Sequence, residues 1–580
     1  VQQRYPARAL REYAVLADGQ RGAVCGPSGE IVWMCAPFWH DDAVFSALLG
    51  GPGVYAITPA DPHVWGGSYE PRSLIWRSHW ATTRTLIESR EALAYPGDPD
   101  KVVLLRRILA VEEEATVDVE LDVRARFGRE PMHDPVLGSD GRWTARTSDL
   151  RVRWSGAHDA HLGDDGVLRA RISVPAGEHR DLVLEIGRGE LGEHVSPDEA
   201  WRNTEVAWDN AVPELSEAAA GPRDAQHAVA VLRGMTAPGN GMVAAVTMSL
   251  PERAEQGGNY DYRYSWIRDQ CFAGVAAAAA GVTSLLDDAV AFVGTRLDED
   301  GEHLAPAYTV HGEPIPDEQP LPHLPGYPGG QALVRGNWVS RQFQLDAFGE
   351  ILQLLAAAAE HGRLDTKRLS TAETAVDIIE RNWQQPGAGL WELDDRWWTH
   401  SRLCCVAGLR RFAATADFKQ AGRMLTLADT ILTETSRRCL HPDGHWQRSP
   451  DDPRPDAAML LPLVRHEHGF ADPRTAATVE AVRNRLSQDG YVYRFPQDPD
   501  PLGVREGAFL LCGFAMALAD RQQGNEVWAL RWFERHRAAC GPPALLAEEY
   551  DVHQRQLRGN LPQAFVHAML LESAVRLGPR

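Results

Sequence analysis

Residues 341–361 read RQFQLDAFGEILQLLAAAAEH. Phe343, Leu345, Phe348, Ile351, Leu352, Leu354 and Leu355 recur at steps of three and four, the spacing of one helix face and not of a strand. The same period extends both ways, through residues 224–235, 269–281, 283–297, 366–383, 399–415, 418–439, 456–468, 473–488, 506–523, 525–540 and 561–577. That predicts about twelve helices. Their connections alternate between short and long. The long ones, residues 251–268, 302–340, 384–398, 490–505 and 541–560, hold the Gly, Pro and Trp clusters. Long loops after every second helix imply helical hairpins set in a ring, an (α/α)6 barrel with those loops on one rim. A rigid scaffold of that kind concentrates function on its loops.

Upstream the texture changes. Residues 53–58, 101–106, 115–123, 150–154 and 181–186 are short alternating or β-branched runs, punctuated by turns such as Asp164-Asp165-Gly166 and Pro175-Ala176-Gly177. Strands at this spacing predict an antiparallel β-sandwich. The expected organisation is a sandwich over residues 1–205, a short helical linker over 206–223 and a barrel over 224–580.

Bulk properties exclude some functions. A formal charge of -21 is unsuited to nucleic acid, whose phosphates demand a positive face. No run reaches the ~18 apolar residues of a membrane span. The N-terminal residues lack an apolar signal segment, so the expected location is cytoplasmic. Eight scattered cysteines show no zinc-ligand spacing and read as reduced, buried thiols. No phosphate-binding GxxxxGK[ST], strand-borne GxGxxG or HExxH is present, and no cofactor or metal is expected. His466-Glu467-His468 reads as a solvated face, because i and i+2 point apart on a helix. Asp298-Glu299-Asp300 reads as a solvated turn.

The long loops are loaded with aromatic and acidic residues. They carry Asn259-Tyr260-Asp261-Tyr262-Arg263-Tyr264-Ser265-Trp266-Ile267-Arg268-Asp269, then Val334-Arg335-Gly336-Asn337-Trp338, Gly389-Leu390-Trp391-Glu392, Tyr491-Val492-Tyr493-Arg494-Phe495 and Ala547-Glu548-Glu549-Tyr550-Asp551. A neutral sugar offers hydroxyls, which charged side chains bind, and apolar C–H faces, which flat rings cover. Cleaving a glycosidic bond needs one protonated carboxyl and one ionised carboxyl. Glu392, beside Trp391 and near Trp398, suits the acid, since apolar neighbours favour the neutral form. Glu548 lies in an acidic cluster that does not by itself say which member stays ionised.

The eleven residues from Asn259 to Asp269 closely resemble the NWDYRYCWLRD signature of glycoside hydrolase family 15. That family holds glucoamylases, glucodextranases, isomaltose-cleaving enzymes and bacterial trehalases. Gly389-Leu390-Trp391-Glu392 with Thr399-His400-Ser401, Glu506-Gly507-Ala508-Phe509-Leu510-Leu511-Cys512, Glu548-Glu549-Tyr550-Asp551 and Gly559-Asn560-Leu561-Pro562-Gln563-Ala564-Phe565 agree with it in order, and residues 29–50 resemble its opening domain. The resemblance spans nearly the whole chain. It implies Glu392 as general acid and Glu548 as general base. Arg268 and Asp269 would grip the terminal glucose, lined by Tyr262 and Trp266. Trp391 and Arg494 would complete that site, with Trp338 on the leaving-group side; Glu549, next to Glu548, reads either as a structural neighbour or as a further substrate contact. Trp338, Val32 and His40-Asp41 depart from the family pattern.

The expected activity is therefore an inverting, exo-acting α-glucoside hydrolase on short α-1,6- or α-1,4-linked gluco-oligosaccharides, isomaltose first. Inversion asks for carboxyls ~6.5–9.5 Å apart, with water between them. α,α-Trehalose is the second substrate. A phosphorolytic enzyme and a non-catalytic sugar-binding protein are the readings from other classes. The expected partner is a small oligosaccharide, with neither nucleic acid nor membrane, and the sequence does not set an oligomeric state.

Overall fold

The computed structural model describes residues 5–215, 220–237, 239, 241–252, 259–328, 330, 333–465, 472–496 and 506–578. His466-Glu467-His468 lies outside them.

The N-terminal part is a sandwich of two antiparallel eight-stranded sheets. In spatial order the first runs Ala14–Ala17, Gly22–Cys25, Glu30–Cys35, Val54–Pro59, Ala115–Asp122, Leu168–Val174 and His161–Leu162, with Ala43–Phe45 paired beside Glu30–Cys35. The second runs His133–Leu137, Trp143–Thr147, Leu150–Ser155, His179–Gly187, Lys101–Ala110, Leu86–Leu93, Trp76–Thr82 and His63–Tyr69. Side chains alternate across a strand, and here both faces are apolar. Ala14, Leu16, Ala23, Ile31 and Met34 join Trp76, Trp80 and Trp154 between the sheets. Val15, Ala17, Val24, Val32 and Trp33 belong instead to the core that continues into the helices. A single turn, α1 (Ala125–Gly128), is left-handed at Arg126 and Phe127.

Helix α2 (Pro197–Ala211) crosses the boundary expected at residue 205 and packs Trp201 and Trp208 inward. Twelve helices then follow among the described residues: α3 (Pro222–Met235), α4 (Ile267–Ala279), α5 (Thr283–Asp300), α6 (Leu345–Glu360), α7 (Thr366–Asn382), α8 (Thr399–Ala413), α9 (Phe418–Cys439), α10 (Leu460–Val464), α11 (Pro473–Arg485), α12 (Leu510–Gln522), α13 (Glu526–Arg537) and α14 (Ala564–Leu577). Helices α4, α6, α8, α10, α12 and α14 pack in succession, and α14 returns to α4, closing an inner ring. The other six lie outside it, α3 against α14 and the rest against the inner helices beside them. This is the (α/α)6 barrel expected from the helical period.

Sequence explains which helices go inside. Every residue from Leu345 to Ala358 in α6 is buried, as is every residue from Leu510 to Asp520 in α12. Both are predominantly apolar and buried on all sides, as helices of a core are. Helix α9 buries only Met424, Leu427, Ala428, Ile431, Thr435 and Cys439, one stripe of an outer helix. Inner helices also cross closely: a Cβ on Gly408 of α8 would sit 2.3 Å from the Gly349 carbonyl oxygen of α6. Outer helices α7, α9 and α11 start on the side-chain caps Asp365, Asp417 and Asp472. Inner helices α4, α6, α8, α12 and α14 start on Trp266, Gln344, Trp398, Phe509 and Gln563, none of which caps through its side chain. Their N-termini follow the long loops, so the positive ends of the inner helix dipoles face that rim.

The sequence separated five long connections. The barrel has a sixth on the same rim, residues 440–459, where a helix was expected from 456. The chain there forms a 3-10 turn at Ala457–Met459 and the five-residue α10.

No helix among the described residues is long and apolar enough to cross a membrane. The cysteines are free; all but the half-buried Cys540 are buried.

Candidate active site

The loop ahead of α4 is extended. Met248 bridges to Asp261, and Ser265–Trp266 pairs with Ala307–Tyr308. Alternation therefore splits the motif into two faces. Asp261 and Arg263 form a fully buried ion pair at 2.7 Å. Arg263 also donates to the carbonyl oxygens of Asp41, at 2.6 Å, and Trp39, at 3.3 Å. Its guanidinium lies over Trp33 and Phe127. This face joins barrel to sandwich, and Trp33 Nε1 adds a bond to the Val246 carbonyl at 3.1 Å. Tyr262 and Trp266 occupy the other face, with ring centroids 5.4 Å apart and edge to face.

Glu392 ends the turn that Gly389 begins. Gly389 has a φ of +70°, and a Cβ there would stand 2.6 Å from the Trp398 ring. Glu392 itself takes a φ of 56°, left-handed and unfavourable for a side chain by roughly 1–2 kcal/mol. Its amide donates to the Gly389 carbonyl at 3.1 Å. Its Oε1 accepts from Trp266 Nε1 at 2.7 Å, Arg268 Nη1 at 3.2 Å and Gln344 Nε2 at 3.4 Å. The apolar neighbours expected from the sequence are turned to other tasks: Trp391 Nε1 donates to Asp456 Oδ1 at 2.9 Å, and Trp398 Nε1 to the Asp394 carbonyl at 3.2 Å.

Glu548 immediately precedes the strand Glu549–Asp551, whose pairing with Ala508–Phe509 fixes its height above α12. Its carbonyl accepts from the Leu510 amide at 3.0 Å. Its Oε2 accepts from the Tyr262 hydroxyl at 3.3 Å. The same hydroxyl lies 3.1 Å from Oε1 of Glu252. Contacts thus run unbroken from Glu392 through Trp266 and Tyr262 to Glu548. Burial first, and then the charge of Glu252, push the Glu548 carboxyl well above the usual carboxylate range; Arg494 and Arg268 oppose the shift. Burial first, then Glu549, likewise raises Glu252.

Arg268 bridges the site. It donates to Asp269 Oδ1 at 2.9 Å, to the Leu390 carbonyl at 2.9 Å and to Glu392. Asp269 is fully buried, and its Oδ2 has no hydrogen-bond partner among the described residues. An orphan of that kind calls for a functional explanation. Arg494 lies under Trp391, 5.4 Å from its ring centroid, and over Phe509 at 4.7 Å. Its guanidinium binds Glu506 and approaches Glu549 Oε1 at 3.5 Å. Glu549 Oε2 in turn accepts from the Gly507 amide at 2.9 Å. Trp391, Arg494 and Glu549 therefore form a second cluster adjoining the first. Trp338 is 42% exposed, and the preceding Asn337 is occupied in capping Val339 and in donating to the Asp261 carbonyl at 3.3 Å.

Sequence reasoning missed three side chains: Glu252, Gln344 and Asp456. Glu252 ends an apolar run just ahead of the motif, and Asp456 lies on the loop that was read partly as helix. The aromatic and acidic load of the long loops marked this rim without singling out these three.

Among the described residues two trios of side chains could hold a metal, and their acids contact arginines. Asp181 and Asp198 of the trio with His179 bind Arg107, and Asp443 of the trio with His441 and His445 lies 3.3 Å from Arg485. The acids at 298–300 are bound by Arg368, Arg296 and Tyr308.

The sequence profile of Glycosyl hydrolases family 15 matches residues 227–575, and that of Trehalase-like, N-terminal matches residues 5–208. A protein of Mycolicibacterium smegmatis named Trehalase is 27% identical, over 99% of this chain and 92% of its own. One of Mycobacterium tuberculosis, also named Trehalase, is 28% identical over 99% and 90%. Among solved structures, a bacterial glucoamylase complexed with acarbose superposes with a TM-score of 0.67 at 13% identity, over 99% of this chain and 94% of that one.

Proposed function

Because the chain belongs to the glycosyl hydrolases of family 15, we propose that it hydrolyses α,α-trehalose, with inversion at the anomeric carbon that water attacks. Glu392 protonates the glycosidic oxygen as its bond to carbon breaks. Glu548 takes a proton from the water whose oxygen bonds to that carbon. The attacked ring leaves as β-glucose and the other as α-glucose. Arg268 and Asp269 hold hydroxyls of the attacked ring, against Tyr262 and Trp266. Trp391, Arg494 and Glu549 support its far side, and Trp338 flanks the leaving sugar.

The observation that carries this reading is the contact chain linking Glu392 to Glu548 through Trp266 and Tyr262, which sets two carboxyls on one rim around a pair of flat rings. The choice of trehalose over isomaltose rests on the relatives. Both relatives described above bear the name trehalase, and the match to the trehalase-like N-terminal profile spans nearly the whole sandwich. That reverses the order of preference read from the sequence.

The purified protein is to be assayed on trehalose, isomaltose and maltose, with proton NMR of the first-formed glucose. The expected result is fastest release from trehalose, with α- and β-glucose appearing in equal amounts before mutarotation. Two α anomers, or a preference for isomaltose, overturn it.

A further inference from the structure

Glu252 has no part in the mechanism above, yet it touches the proposed base. It is 3% exposed. The Tyr262 hydroxyl lies 3.1 Å from Glu252 Oε1 and 3.3 Å from Glu548 Oε2, so the two carboxyls meet at one donor. The pair is clamped by backbone. Gly559 donates its amide to the Pro251 carbonyl at 2.9 Å, and a Cβ on Gly559 would lie 3.4 Å from Glu548 Cβ and 3.5 Å from Glu252 Cγ. Two buried carboxyls packed this closely cannot both ionise cheaply, so the pair keeps a proton between them.

We propose that Glu252 is a positioning residue that keeps the shared proton, donating it as a hydrogen bond to Glu548 so that the base stands ionised with one oxygen fixed and the other turned to water. This rests on Glu548 being the base. During hydrolysis the proton on Glu252 stays in place, and the proton of the attacking water goes to the other oxygen of Glu548. Arg268 and Arg494 face the pair as cations; Glu549 and Glu392 face it as acids, and Tyr262 as a neutral donor. The base is thus tuned as a pair, and its apparent titration belongs to both members.

The test is the pH profile of kcat/KM on trehalose for the wild type, E252Q and E252M. Glutamine keeps a donor to Glu548 and is neutral, as the protonated Glu252 is, so the acid limb stays within about half a pH unit of the wild type, and a clear downward move overturns the proposal because Glu252 would then be ionised. Methionine removes the donor, so that limb moves up, and E252M still decides the matter should E252Q not fold. A limb that stays put in both folded variants overturns the proposal, leaving Glu252 a packing group. An E252Q protein that is folded but as inactive as E548Q also overturns it, since Glu252 would then be the base. Azide separates this from the underlying reading. Rescue of E548G as β-glucosyl azide keeps Glu548 as the base whatever the limbs do. A folded E548G that retains wild-type turnover removes the base itself, and this proposal with it.

Discussion

Tyr262 and Trp266 meet edge to face with centroids 5.4 Å apart, and each gives its polar hydrogen to a different glutamate: Trp266 to Glu392 at 2.7 Å, Tyr262 to Glu548 at 3.3 Å. They stand four residues apart at the end of one extended loop that leads straight into α4. One short piece of backbone therefore sets the placement of two carboxyls more than a hundred and fifty residues apart in sequence. Errors in either loop are held in check by a rigid aromatic pair.

Glu392→Gln keeps the shape of the side chain and its contact with Trp266 while removing the proton to be donated. Turnover of trehalose should fall by about 10²–10⁴-fold. α-Glucosyl fluoride, whose leaving group needs no protonation, should lose far less. Parallel losses on both substrates would deny Glu392 the role of acid. Thermal melting of the variant should stay close to that of the wild type.

Tyr262→Phe removes the hydroxyl shared by two buried acids. A hydrogen bond to a charged group is worth about 1.5–3 kcal/mol, so kcat/KM should fall about 10- to 100-fold. Steady-state kinetics on trehalose checks this. An unchanged constant would show that Glu548 is held without it.

Stability should also report the buried proton. Burial, then Glu549, raises Glu252 from the ordinary 4.5 to about 8. The folded chain binds a proton here across a range where the unfolded chain has lost it. The stabilisation is complete below the unfolded value and drains away as pH rises through the folded one. From about pH 5 to about pH 8 the melting temperature of the wild type should therefore fall more steeply than that of Glu252→Gln. Parallel curves in thermal melts would mean that no proton is held there.

Asp261→Asn leaves the Arg263 charge buried without its counter-ion. Breaking such a pair costs about 3–5 kcal/mol. Chemical unfolding should show that loss, and activity should drop with it because Tyr262 is the next residue. A loss under ~1 kcal/mol would mark the pair as dispensable.

The barrel was legible because helices such as α6 and α9 write their period plainly, with apolar residues recurring every three or four positions. The strands of the sandwich were harder. Ala14–Ala17, Gly22–Cys25 and Glu30–Cys35 are buried on both faces, by the second sheet and by the barrel, so the alternation that marks a half-exposed strand is erased. Lys101–Ala110 and Ala115–Asp122 kept enough β-branched character to be read. In the site, the two glutamates were singled out by the resemblance of their segments to the family's, and the motif stood out by its residues. Glu252 and Asp456 did not, because a carboxyl earns its meaning from what folds against it. Beside Trp391 and Trp398, Glu392 also meets polar donors at the starts of α4 and α6.

The seam around Arg263 has a consequence for dissection. Trp33, Val32 and Val246 lie in a single core shared by the two halves, and the Arg263 guanidinium is satisfied partly by backbone oxygens of residues 39 and 41. Cutting the chain ahead of α3 would expose a greasy flank and strand a cation beside the rim that carries Tyr262. Chimaeras among relatives should therefore exchange both halves together, since a barrel fitted with a foreign sandwich inherits a mismatched joint one residue from Tyr262.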